Sequence, residues 1–149
     1  MASHLSFDEL AALASPQSAA LARRLLEQDY ADRRWAQRLG PACTQADVAE
    51  LLGISQQAVS KSRRLLRIVQ RDGRPVYPLF QFDGRRQLPG VGDVVALLGP
   101  LLEPLTVASW LTGPLRELDG RRPLDVLADV DGADRVLVAA KHLAAAAAA

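Results

Sequence analysis

The sequence has few of the residues that mark disulfide-bonded, metal-binding or catalytic proteins. It contains one cysteine, Cys43, and two histidines, His4 and His142, in 149 residues. One cysteine cannot form an internal disulfide, and histidines near opposite ends of the chain lack zinc-ligand spacing. Residues 88–92 are rich in glycine, but the Lys-Ser/Thr that follows a phosphate-binding loop is missing. We therefore expect no enzymatic activity, no catalytic residues, no metal and no cofactor.

Long hydrophobic runs and aromatic residues are also scarce. No apolar run approaches the roughly 20 residues that a membrane helix requires. Residues 1–5 lack the basic start and apolar core of a secretory signal. We therefore expect a cytoplasmic protein that does not associate with a membrane. Aromatic residues are 5% of the chain, and Leu and Ala dominate its apolar residues. This composition favours helices over sheets.

The charge is distributed unevenly along the chain. Residues 55–86 hold eight basic and two acidic side chains, a net charge of +6, whereas residues 1–54 carry −2 and residues 87–149 carry −3. A basic block between acidic flanks predicts one surface for a polyanion and another surface for a different partner.

Residues 44–67 have the pattern of a helix-turn-helix. Thr44 and Asp47 have the spacing of a capping box at the start of a first helix. Gly53 can supply the left-handed turn, and Ser55 can cap the second helix. The spacing predicts two short helices joined at the glycine.

Small and aliphatic residues are spaced for packing of the two helices. Ala49 leaves room where the helices cross. We expect Ile54 to lie under the turn, and Ala58 and Val59 to hold the second helix against the first.

The exposed face of the second helix is predicted to bind double-stranded DNA at an operator. Gln can hydrogen-bond adenine, and Lys or Arg can read guanine or contact phosphates. One such helix makes few base contacts, so a homodimer on paired half-sites is expected. The alternative is a helical hairpin whose basic face is merely solvated. The predicted DNA contacts are Ser55, Gln56, Gln57, Ser60, Lys61, Arg63, Arg64, Arg71 and Arg74.

The fold class predicted is mainly α, a helix-turn-helix with a small wing-like β-hairpin followed by a bundle of short helices. The hairpin is expected because β-prone residues 68–70 and 76–77 flank an Arg-Asp-Gly-Arg turn, whose tip holds Arg71 and Arg74. Residues 83–92 read as a loop. Three segments are predicted: 1–42, N-terminal helices for packing or dimerisation; 43–84, DNA binding; and 85–149, a helical domain.

Several sequence phrases together resemble the Xre/MbcA/ParS family of antitoxins. The resemblance covers residues 43–137. In the C-terminal half we expect Trp110 to anchor the core, Gly120 to allow a tight loop and Pro123 to begin a helix. The phrases are TQADVAELLGISQQAV at 44–59, VYPLFQFDG at 76–84, ASWLTGP at 108–114, LDGRRPLDVL at 118–127 and ADRV at 133–136.

The resemblance implies the antitoxin of a type II toxin–antitoxin pair. Such a protein represses its own operon and neutralises a RES-domain toxin that consumes NAD, covering the toxin's active-site entrance with its C-terminal region. The resemblance makes residues 85–149 the expected toxin-binding, antitoxin-like domain, and Arg135, Lys141 and His142 are the candidate toxin contacts in this chain. Two alternatives are a stand-alone helix-turn-helix regulator whose C-terminal domain dimerises, and an adaptor that does not bind DNA.

Overall fold

A computed structural model describes residues 4–149, so the first three residues of the predicted segment 1–42 lie outside the described residues. The chain divides into two compact units, Met1–Arg38 and Leu39–Ala149. Within residues 4–149, none of the helices has the length and hydrophobicity of a membrane span.

The first unit contains helix α1, Phe7–Leu13, and helix α2, Pro16–Leu39, whose last residue belongs to the second unit. Ser6 and Glu9 form a capping box at the start of α1. The Ser15 hydroxyl accepts a hydrogen bond from the Ser18 amide at 3.2 Å, at the start of α2. No side chain of these two described helices is buried.

The second unit begins with a three-stranded antiparallel sheet of order β1–β3–β2, into which two helices are inserted. Strand β1 pairs with β3 through Cys43 and Tyr77, and β2 pairs with β3 through Ile68 and Val76. The β2–β3 hairpin was predicted, whereas β1 was not. The elements are β1 Ala42–Thr44, α3 Gln45–Leu52, α4 Gln56–Lys61, β2 Ile68–Val69 and β3 Pro75–Pro78.

The remainder of this unit is a second hairpin followed by short helices. The prediction of a loop over residues 83–92 was wrong, because β4 and β5 pair across Gly84, which has a φ of 63°. The predicted fold class, mainly α with a small hairpin, is confirmed. The elements are a 3-10 turn Leu79–Gln81, β4 Phe82–Asp83, β5 Arg86–Gln87, α5 Val91–Leu98, α6 Pro104–Thr112, a 3-10 turn Arg116–Leu118, α7 Pro123–Val126 and α8 Gly132–Ala148.

Two hydrophobic clusters hold Leu39–Ala149 together. The smaller core lies under α3 and α4 and includes Val48, Val59 and Tyr77. The larger core is built from α5–α8 and also contains Leu66 and Ile68, which follow α4 in the chain. Leu66, just before β2, and Ile68, in β2, both enter the larger core. The helix-turn-helix half therefore packs directly on the C-terminal helices.

Two packing predictions were wrong. Ile54 is 43% exposed, and Ala58 is exposed as well. The second helix has only six residues, and Val59 is the one side chain of this helix that is buried. Ile54 lies in the turn itself, where the left-handed Gly53 directs the chain outward.

A fully buried glutamine, Gln81, joins the two halves of this unit. Its side-chain oxygen accepts from the Leu66 amide at 2.8 Å, and its nitrogen donates to the carbonyls of Leu66 and Pro78 at 3.0 and 3.1 Å. The Gln81 backbone carbonyl accepts from Leu88 at 2.7 Å. All polar groups of this buried amide are therefore engaged, as burial of a polar side chain requires.

Loop conformations in the C-terminal half match the predicted glycine and proline roles. Gly120 has a φ of 79°, and its neighbour Asp119 also lies in the left-handed region with a φ of 59°. Pro123 is the first residue of α7. Trp110 is partly buried and packs against the larger core.

Candidate nucleic-acid interface

The two helices α3 and α4, with the turn at Gly53 between them, form the helix-turn-helix unit. The Thr44 hydroxyl accepts from the Asp47 amide at 3.1 Å, and the Asp47 carboxylate accepts from the Thr44 amide at 3.2 Å. Gly53 has a φ of 67°, and the Ser55 hydroxyl accepts from the Ala58 amide at 3.0 Å. The predicted capping box, left-handed turn and second helix cap are therefore confirmed.

The outer face of α4 is polar and open to solvent. Gln56, Gln57, Ser60 and Lys61 are all exposed. The Ser60 hydroxyl donates to the Gln57 carbonyl at 3.0 Å, so it is held against the helix backbone. The side chains of both glutamines and Lys61 extend from a short, well-capped helix, which is the placement that base or phosphate contacts require.

The second helix is shorter than predicted. It ends at Lys61, and Ser62 adopts an extended conformation. Arg63 and Arg64, which the sequence placed on the helix face, lie beyond its end in residues 62–67, called here the exit segment. The physical reason is that the following Leu65 and Leu66 are anchored in the smaller and the larger core, which redirects the chain.

Arg64 is tied to the C-terminal half of the unit. Its Nη2 lies 2.9 Å from Oδ1 of Asp93 in the first turn of α5, and its carbonyl accepts from Gln87 Nε2 at 2.6 Å. A Cβ on Gly92 would lie 2.7 Å from Gln87 Oε1 and 3.0 Å from the Arg64 guanidinium, so these two side chains would have to shift. Sequence analysis gave no signal for Asp93, because the contact joins residues 29 positions apart.

The β2–β3 hairpin presents its arginines at an exposed tip. The Arg74 amide and guanidinium both donate to Asp72, at 3.0 and 2.8 Å. These hydrogen bonds, the backbone one first, hold the pKa of the Asp72 carboxyl below its ordinary value. Arg71 is exposed in the same turn. The tip therefore keeps the predicted position, and Asp72 compensates the charge of Arg74 there.

Arg67 is a basic residue of this region that the predicted DNA contacts left out. It lies at the end of the exit segment, close to the buried Tyr77. Burial raises the pKa of the Tyr77 phenol, and the Arg67 charge opposes part of that rise. Its membership of the basic block 55–86 was the available signal.

The residues predicted to contact a toxin lie together along α8. Arg135 pairs with Asp119 at 3.5 Å, and Nδ1 of His142 lies 2.8 Å from Glu117 Oε2. Val138, which shares their helix face by its spacing, is 51% exposed. Lys141 is exposed beside them. This arrangement, called here the α8 face, combines an apolar centre with charged neighbours.

Residues 39–149 thus define a class of small protein, in which a helix-turn-helix with a wing-like hairpin is packed on a bundle of short helices. Residues 92–138 match the family model described as the antitoxin Xre/MbcA/ParS C-terminal toxin-binding domain. This segment of the chain is therefore similar to the C-terminal domain of that antitoxin family.

A relative in Mycobacterium tuberculosis (strain ATCC 25618 / H37Rv) carries the name probable mycobacterial cidal antitoxin. It is 39% identical to this chain over 85 residues, which are 57% of this chain and 63% of the relative. The alignment therefore spans somewhat less than two thirds of that protein. No solved structure matches the chain.

Proposed function

We propose that this protein is the antitoxin of a type II toxin–antitoxin pair, which binds operator DNA through the helix-turn-helix unit and neutralises a RES-domain, NAD-consuming toxin through its C-terminal helices. One observation carries the proposal. A segment that matches a toxin-binding domain shares its hydrophobic core with Leu66 and Ile68, directly behind the helix-turn-helix unit. A protein built in this way can bind DNA with one surface and a toxin with another surface of the same packed unit.

The DNA-binding part is supported by charge and exposure. The outer face of α4 offers Gln56 and Gln57 for base edges and Lys61 for a phosphate or guanine. The basic block 55–86 has a net charge of +6. Arg63, Arg71 and Arg74 lie outside the helix and suit phosphate contacts better than base contacts. Specific binding would use two copies on paired half-sites.

The toxin-binding part is supported by the α8 face. Val138 is an exposed apolar residue between Arg135 and His142, and Lys141 is an exposed cation next to it. An interface centred on an apolar residue with a charged rim is the usual arrangement of a protein contact. The neighbouring acidic residues Glu117 and Asp119 would belong to the same surface.

The toxin arm of the proposal is tested by co-expression with a candidate RES-domain toxin. Wild-type antitoxin should restore growth and cellular NAD, and the two proteins should elute as one complex. Val138→Asp should break the complex, because a carboxylate would be placed at the apolar centre of the interface. Lys61→Ala changes the proposed DNA-binding face instead, so it is the matched control and should leave NAD protection intact.

The DNA arm is tested by separating base contacts from phosphate contacts. If Gln57 reads a base, Gln57→Ala should weaken binding to cognate DNA by about 1–3 kcal/mol and leave binding to random DNA unchanged. Lys61→Ala should weaken both duplexes and flatten the salt slope by about one unit if Lys61 meets a phosphate. Equal losses on both duplexes for Gln57→Ala would reject its assigned role.

A stand-alone regulator with a dimerising C-terminal domain is distinguished by the same experiments. Selective DNA binding together with a stable dimer, and no complex with the RES-domain protein, would favour that alternative.

A further inference from the structure

A groove of about 480 Å³ lies between the exit segment and helices α5 and α6. Its walls include Leu66 and Val107, which are buried members of the larger core, and Ala96 and Leu102. This groove uses none of the residues of the α8 face and lies beyond the end of α4. Its size falls within the roughly 300–1,000 Å³ of small-molecule sites, which are mainly apolar with few polar groups.

The charged residues that line the groove are both arginines, Arg63 and Arg67. Neither forms a salt bridge to any residue in the described part of the chain. None of the lining residues carries a carboxylate. An apolar groove bounded by two uncompensated cations is complementary to a molecule with an apolar body and an anionic end.

We propose that this groove binds an anionic amphiphile, a small molecule with an apolar chain or ring system and one carboxylate, sulfonate or phosphate group. The apolar body replaces water against Leu66, Val107 and Ala96. The anionic group lies at the arginine end, where a guanidinium can donate two parallel hydrogen bonds to it.

Occupancy of the groove has a consequence for DNA, which rests on the proposed function. Arg63 is one of the predicted DNA contacts, and the exit segment directly follows α4. An anion held by Arg63 and Arg67 removes positive charge from that surface. The amphiphile therefore lowers DNA affinity, and it does so through electrostatics that high salt masks.

The binding test uses the full chain labelled with ¹³C at its methyl groups and titrated with dodecanoate below its micelle range. Saturable shifts are expected at Val107, Leu102 and Leu66. Dodecanol, which lacks the charge, and sulfate, which lacks the chain, should each bind at least about tenfold more weakly, since charge-assisted hydrogen bonds and apolar burial both contribute.

Three variants locate the site. Ala96→Trp fills the groove and should abolish the saturable shifts, and Arg63→Gln with Arg67→Gln should weaken dodecanoate about tenfold without affecting dodecanol. Arg122→Gln, which removes a cation elsewhere, is the matched control and should bind normally. Circular dichroism confirms that each variant is folded.

Shifts confined to the exposed leucines of α1 and α2, or binding unchanged in the arginine variants, would overturn the proposal. The binding result is independent of DNA. Groove binding without any effect on DNA would leave the ligand site standing and reject only its regulatory consequence.

Discussion

At the scale of single residues, Gln81 does more than fill space. It is 0% exposed, and its amide joins the exit segment at Leu66 to the end of β3 at Pro78. Buried polar groups are tolerated only when they are hydrogen-bonded, and removing their partner leaves the other groups unsatisfied. Gln81 therefore fixes the backbone that leads from α4 into the larger core.

We predict that Gln81→Met, which keeps the side-chain volume, lowers the free energy of unfolding by about 2–4 kcal/mol, because the amide and carbonyl of Leu66 lose their buried partner. Urea unfolding of the full chain measures this change. Gln56→Met, on the exposed face of α4, should change stability by less than about 0.5 kcal/mol. Equal small effects of both substitutions would contradict the role of Gln81.

A second residue-scale prediction concerns two glycines that are required for different reasons. A Cβ on Gly132 would collide with the carbonyl oxygen of Val126, whereas a Cβ on Gly120 would meet nothing within 4 Å. Gly132→Ala should therefore lower the free energy of unfolding by about 3 kcal/mol or more, since the backbone must move. Gly120→Ala should cost about 1–2 kcal/mol, from its left-handed conformation alone. Thermal unfolding of both variants tests the order, and the reverse order would refute it.

Residue roles were predictable where they are local. The caps at Thr44 and Ser55 and the left-handed Gly53 depend on neighbours within three residues, so the sequence contains the whole interaction. Gln81 was not identified, because its partner Leu66 is 15 residues away and glutamine is ordinarily a surface residue.

At the scale of elements, the length of α4 decides which side chains lie on its outer face. Helix propensity alone would allow it to continue through Arg63 and Arg64, but Leu65 and Leu66 bind the exit segment to two different cores. The packing of the exit segment therefore terminates α4, although the local sequence carries no signal that would end a helix there. Strand β1 was missed for the same reason, since its three residues are defined by pairing with β3.

The pair between Arg64 and Asp93 joins the exit segment to α5, and both side chains are more than half exposed. We predict that Asp93→Asn tightens binding to any duplex by up to about fivefold. In this variant Arg64 can contact a phosphate without first breaking its ion pair with a carboxylate. Asp125→Asn makes the same change in net charge away from the interface, so it is the control. Equal tightening by both would show a general charge effect, and Arg64→Ala in the Asp93→Asn background should remove the gain.

Helix α7 and its flanks predict how stability depends on pH. Hydrogen bonds from Arg122 lower the pKa of Asp125, and hydrogen bonds from Arg121 lower that of Asp129. A carboxyl whose pKa is depressed on folding stabilises the native state above its ordinary pKa of about 4. That contribution is lost as the pH falls from about 4 through the lowered values.

Urea midpoints measured between pH 7 and pH 2.5 should therefore fall below pH 4. The double variant Asp125→Asn with Asp129→Asn should show a shallower fall, because it has lost both carboxyls. A fall of the same depth in wild type and double variant would mean that other groups carry the acid sensitivity.

At the scale of the whole molecule, the basic and acidic segments of the sequence supply different surfaces of residues 39–149. The basic block supplies α4, the exit segment and the hairpin tip, and the acidic C-terminal segment supplies the α8 face. Composition and periodicity were sufficient for the mainly α fold class. The shared larger core was not predictable, because it depends on long-range contacts of Leu66 and Ile68 with α5–α8.

The most direct test of the central claim is the binding of the full chain to a duplex from upstream of its own gene, compared with a shuffled duplex at two salt concentrations. Fluorescence anisotropy at low salt and at about 0.15 M salt separates specific from electrostatic binding. The account predicts that the upstream duplex keeps at least about a hundredfold advantage at the higher salt. Equal affinities for both duplexes, lost together as salt rises, would contradict it.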